Sequence, residues 1–115
     1  MTHDAEQRRS PRKRVTSPIT VTDAMTGVEL GQLCDLSVGG LMLLGVGDTA
    51  PGAVRQVRFS LPALRERERT LEVGIHELWR EQASSATQCW SGHRIVAIVD
   101  AHLHLIEEWI GPQAD

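Results

Sequence analysis

Two short segments of this sequence carry residue types that could recognise a charged ligand. The first is Gln7-Arg8-Arg9-Ser10-Pro11-Arg12-Lys13-Arg14-Val15, in which Arg8 and Arg12 frame an R-x-x-x-R spacing. The second is Asp35-Leu36-Ser37-Val38-Gly39-Gly40, with the spacing D-x-S-x-x-G. Guanidinium groups present planar donor forks that match phosphate oxygens in pairs. The same forks fit the O6/N7 edge of guanine, and the guanidinium plane stacks on base faces. Asp35 is the complementary reader, because its carboxylate accepts from the N1–H and exocyclic amine of guanine. Ser37 can donate to a phosphate or a base acceptor. Gly40 lacks a Cβ, which permits positive φ and close ligand approach. Together these groups suit a ligand with guanine edges and phosphates, with Arg9 as an auxiliary contact.

Each segment is unspecific alone. A basic N-terminal run commonly serves as a solubilising tail. A D-x-S-x-x-G run between apolar strands is commonly only an Asx-type turn. Their order, and their separation by one strand hairpin, is what would let a fold bring them together.

In that order and spacing the sequence resembles the PilZ family, which is marked by R-x-x-x-R, a strand, and then [D/N]-x-S-x-x-G entering the next strand. Arg8 and Arg12 match the first motif; Asp35, Ser37 and Gly40 match the second. Val15 to Val21, with Pro18, is similar to the strand after the arm. Gly39 to Leu43 is similar to the strand after the turn. Val73 to Trp79 and Trp90 to Val96 resemble later family strands, so the likeness runs from about Gln7 to Ile110. It departs from the family at His93-Arg94-Ile95, where a small apolar or aromatic stretch is usual.

The resemblance implies an all-β fold, a six-stranded antiparallel β-barrel with a C-terminal α-helix. It implies cyclic di-GMP, a bacterial second messenger, as ligand, with no further cofactor. Arg8 and Arg12 would grip phosphate and guanine as the arm wraps over the barrel, while Asp35 and Ser37 read a guanine edge. With three tryptophans, one phenylalanine and no tyrosine, base stacking falls to arginine and to Trp79 or Trp90. The implied role is a receptor that changes its surface on binding and so regulates an effector protein, which the sequence does not name. An alternative keeps the fold but drops the ligand: a PilZ-like protein-interaction module that does not bind cyclic di-GMP.

The elements that must position these groups are legible as pattern. Residues 1–14 show no apolar periodicity and read as a flexible basic arm, with Pro11 resisting a helix. Residues 15–112 read as the barrel domain. Ile19 to Thr22 and Val28 to Cys34 form a strand hairpin about a turn at Met25-Thr26-Gly27. Leu41 to Leu44 is a short, largely buried strand, and Gly45 to Gly52 a loop. Val54 to Leu61, Leu71 to Trp79 and Thr87 to Val99 are further strands. Arg65 to Arg69 reads as a solvated loop or helical turn. Ala101, Leu105, Ile106, Trp109 and Ile110 recur at helical spacing, predicting a helix over about 100–110, with Asp100 as its cap and Gly111-Pro112 as its stop.

Composition narrows the function classes. With 115 residues the chain holds one domain's worth of core. Five of its twelve basic residues lie in the arm, and the net charge is −3. The acidic body and few aromatics disfavour DNA or RNA as partner. The polar N-terminus lacks an apolar signal region and no run is long enough to span a bilayer, so a cytoplasmic protein without membrane insertion is expected. Cys34 and Cys89 are then expected to be free thiols. No G-x-S-x-G, phosphate-loop or H-E-x-x-H motif occurs, the histidines have no metal-ligand spacing, and an enzyme is not expected.

Overall fold

In the computed structural model, residues 11–46, 51–64, 67–84 and 87–111 are described. Among the described residues seven strands precede one helix: β1 (Lys13–Arg14), β2 (Thr20–Asp23), β3 (Glu29–Leu36), β4 (Gly40–Val46), β5 (Val54–Leu64), β6 (Arg67–Gln82), β7 (Gln88–Ala97) and α1 (Asp100–Ile110). Every pairing is antiparallel. Strands β2 to β7 close on themselves in the order β3-β2-β5-β6-β7-β4, because β4 returns to pair with β3. This is the expected six-stranded barrel with a C-terminal helix. Closure removes the unpaired edges that an open sheet would expose.

Period-2 alternation sets which side chains enter the barrel. Val21, Leu33, Leu36, Leu41, Leu43, Val57, Phe59, Leu71, Val73 and Ile75 are buried together as one core. Ile106 and Trp109 of α1 join that same cluster. A helix can reach the interior of a closed barrel only through an open end, so α1 plugs one mouth.

Several local expectations are revised. The last residues of the expected arm, Lys13 and Arg14, pair with Leu36 and Asp35 of β3. Arg67 to Arg69 are strand rather than loop or helical turn, because backbone pairing with Leu61 and Leu64 continues the β5–β6 hairpin. Exposed charged side chains do not oppose that pairing. Asp100 is not the cap of α1. The extended residue before the helix is Val99, which has no capping side chain, and Asp100 stands in the first turn, where its charge suits the helix dipole. Gly111, at φ 75°, ends the helix as expected. Cys34 and Cys89 are free thiols.

Candidate functional site

The D-x-S-x-x-G segment forms the bend between β3 and β4. Ser37 is 1% exposed. Its hydroxyl donates to the Gly40 carbonyl at 3.2 Å and accepts from the N–H groups of Gly39 at 3.3 Å and Gly40 at 3.1 Å. The Ser37 N–H also donates to the Gly40 carbonyl at 2.8 Å. A hydroxyl engaged this fully, and almost wholly buried, fixes the bend.

Gly40 departs from the expected backbone conformation. It is not among the glycines at positive φ, which are Gly27, Gly31, Gly52 and Gly111. A Cβ at Gly40 would lie 2.5 Å from the carbonyl oxygen of His93. Glycine is required there by the close approach of β7, not by a left-handed backbone.

Asp35 faces outward beside this bend. Arg12 reaches it from the strand entrance, with Nη1 3.1 Å from Oδ1. The two side chains are 47% and 20% exposed, so the pair is accessible from solvent. One member of each sequence motif is thus brought into contact with the other. Arg8 and Arg9 lie outside the described residues.

Strand register carries the site further around the barrel. Arg14 pairs with Asp35, Asp35 with Met42, Met42 with Gly92, and Gly92 with Trp79. Paired residues in adjacent strands share a face. A row across β1, β3, β4, β7 and β6 therefore presents Asp35, Met42 and Trp79 on the outer wall. Trp79 is 46% exposed. A Cβ at Gly92 would collide with its indole, so the ring lies directly against the Gly92 backbone. The pairing of Gly40 with Arg94 and of Leu44 with Trp90 places Arg94 and Trp90 on either side of this row. The wall so formed combines a carboxylate, a cation, a thioether and aromatic surface.

Pattern reading missed Met42 and Arg94. The four apolar residues Leu41 to Leu44 hide their alternation, yet Leu41 and Leu43 are buried while Met42 and Leu44 are half-buried and outward. Arg94 appeared only as a departure at His93-Arg94-Ile95. Alternation was the available signal, since His93 shares the inward row of Leu41 and Glu77 while Arg94 stands exposed.

Inside the barrel a second polar cluster is tightly engaged. Glu77 accepts from Arg80 at 2.9 and 3.0 Å and from the Gly52 N–H at 2.8 Å. Burial raises the Glu77 carboxyl's pKa, but Arg80 and the Gly52 N–H outweigh it and hold the group below its ordinary value. Burial pushes His93 below the usual imidazole value, although Glu77 opposes the shift. The N–H groups of Met25 and Thr26, with Arg55, hold Asp23 down against its burial. Near the outer site, burial pushes the Cys34 thiol up, and the neighbouring Asp35 carboxylate adds to it. Among the described residues no group of three His, Cys, Asp or Glu side chains could hold a metal ion. A groove of about 510 Å³ beside α1, lined by Gln56, Leu71, Glu72, Ala97, Val99 and His102, contains no residue of either motif.

The molecule is therefore a small closed antiparallel barrel with an arginine–aspartate pair and an aromatic wall on its outside. No family model matches the sequence, and no curated protein matches it. Among solved structures, the Bacillus subtilis inhibitor of motility, MotI/DgrA, superimposes with a TM-score of 0.71 at 10% sequence identity. The match covers 90% of this chain and 49% of that one, so this chain spans about half the length of its neighbour. At that identity the likeness is one of fold. No helix among the described residues is long and apolar enough to cross a membrane.

Proposed function

We propose that this chain is a receptor module for cyclic di-GMP that alters its surface on binding and so regulates a partner protein. The observation that carries the reading is the outward contact of Arg12 with Asp35 at 3.1 Å. It joins the two motifs whose residue types suit a guanine dinucleotide. Asp35 reads the N1–H and amine edge of one guanine, and Arg12 turns to phosphate or to the O6/N7 edge. Arg8 and Arg9 add charge from the arm. Ser37 and Gly40 act indirectly, by fixing the bend that aims Asp35. Trp79 provides a face for base stacking, with Met42 as apolar floor. Arg94 is a further cation on the wall, and no ion pair engages it among the described residues. The ligand's two negative charges would offset the repulsion among these cations.

The neighbour's name, an inhibitor of motility, fits an output exerted on another protein. Its similarity supports the scaffold, while the nucleotide rests on the motif residues. Titration calorimetry with cyclic di-GMP tests the reading on wild type, Arg8→Ala, Arg12→Ala and Asp35→Ala. Binding by wild type, weakened about tenfold or more in each variant, is expected from the loss of a charge-assisted contact. Absence of binding to wild type, or equal affinity in all four proteins, overturns it.

A further inference from the structure

Two neighbouring side chains at the entrance to β1, Arg12 and Lys13, hold two different parts of the molecule. Successive side chains of an extended segment point to opposite faces. Arg12 turns outward to Asp35. Lys13, in register with the buried Leu36, turns toward α1. Its Nζ donates to the carbonyl of Trp109 at 2.8 Å and sits 4.5 Å from the centroid of the Trp109 ring. The last carbonyls of a helix lack intrahelical donors and carry the negative end of the helix dipole. The last turn of α1 contains no basic residue of its own. Lys13 supplies that cation from the other end of the chain, and Trp109 is a buried member of the barrel core.

We propose that Arg12-Lys13 is a strap coupling the state of the Asp35 carboxylate to the last turn of α1. While Arg12 holds Asp35, β1 lies along β3 and Lys13 is delivered to Trp109. When another donor claims Asp35, Arg12 loses its anchor. Strand β1 is then held by a two-residue pairing and by the Val15 N–H to Cys34 carbonyl bond of 2.9 Å. A ladder that short is easily lost. Lys13 withdraws with it, and the end of α1 loosens. The outer wall thereby gains an output at the helix that plugs the barrel. That cyclic di-GMP is the physiological trigger rests on the function proposed above, but the coupling itself needs no nucleotide.

Amide hydrogen exchange at Glu107 to Ile110 reads this coupling in the full chain. Lys13→Met should speed exchange there about three- to fivefold, the range of a helix-terminal charge interaction. Arg12→Gln and Asp35→Asn should do the same without any nucleotide. The double variant Asp35→Asn/Lys13→Met should exchange no faster than Lys13→Met. These are exposed or half-buried positions outside the core, so the fold should persist. Wild-type protection of α1 in both Arg12→Gln and Asp35→Asn overturns the strap, as does full additivity in the double variant. Cyclic di-GMP added to wild type should also speed these amides; binding without that change overturns the proposal too. If nucleotide fails to bind while the variants behave as stated, the strap stands and the nucleotide reading falls.

Discussion

The indole of Trp79 rests on the backbone of Gly92, so closely that a Cβ on Gly92 would collide with the ring. The two residues are direct partners in the β6–β7 register, just past an irregularity between Glu77 and Trp79. That bulge turns Leu78 and Trp79 both outward, at 58% and 46% exposure. Gly92→Ala should therefore push the exposed ring off the wall while leaving the barrel folded. Affinity for cyclic di-GMP should fall about tenfold, as in Trp79→Ala, because stacking of a base on an aromatic contributes roughly 1–3 kcal/mol. Calorimetry with a parallel melting curve checks both halves. Unchanged affinity in both variants would remove Trp79 from the site.

Ser37→Ala should act on stability first. It strips the hydrogen-bond acceptor from the Gly39 and Gly40 N–H groups at a buried bend. Leaving such groups unsatisfied costs about 1–3 kcal/mol each at most. Denaturant unfolding should show a lower midpoint. Ser37→Thr, which keeps the hydroxyl, tests whether the hydroxyl or the space is limiting. If Ser37→Ala leaves the midpoint unchanged and abolishes binding, Ser37 reads ligand directly.

Arg94 stands across from Gly40 on the outer wall. Arg94→Ala should weaken binding of cyclic di-GMP and flatten its dependence on salt, since one screened cation–phosphate attraction is lost. Affinity measured between low and physiological salt reads this directly. Arg94→Lys should restore the salt dependence in part. A variant with the wild-type salt profile would place Arg94 outside the ligand's reach.

Acid should destabilise the barrel in two stages of one sign. His93 has a depressed pKa in the folded protein because it is buried. Unfolding lets it take up a proton, so its contribution is present above its unfolded value and is lost as pH falls below about 6.5. Glu77 and Asp23 are also depressed. Their contributions persist above the unfolded carboxylate values and vanish as pH drops through the folded ones. Stability should therefore fall monotonically from pH 7 to pH 3. His93→Gln should flatten the part between pH 7 and pH 5 and leave the lower part intact. Urea midpoints across that range provide the measurement, and an identical slope in His93→Gln would assign the upper stage to another group.

Much of the scaffold is visible in local pattern. The β-branched alternation of Ile19 to Thr22, the turn at Met25-Thr26-Gly27 and the helical spacing of Leu105, Ile106 and Trp109 each depend on near neighbours in the chain. The strand state of Arg67-Glu68-Arg69 comes from pairing with β5, which charge pattern does not encode.

The sequence by itself determined the residue types available to a ligand, Arg8, Arg12 and Asp35 foremost, and the order of elements that could bring them together. Tertiary structure alone decided that Arg12 meets Asp35, that Ser37 and Gly40 serve the bend, and that Met42, Trp79 and Arg94 share its wall. The reason is physical. Which residues share a row depends on the register of strands distant in sequence, and a shift of one position would turn every one of those side chains to the opposite face.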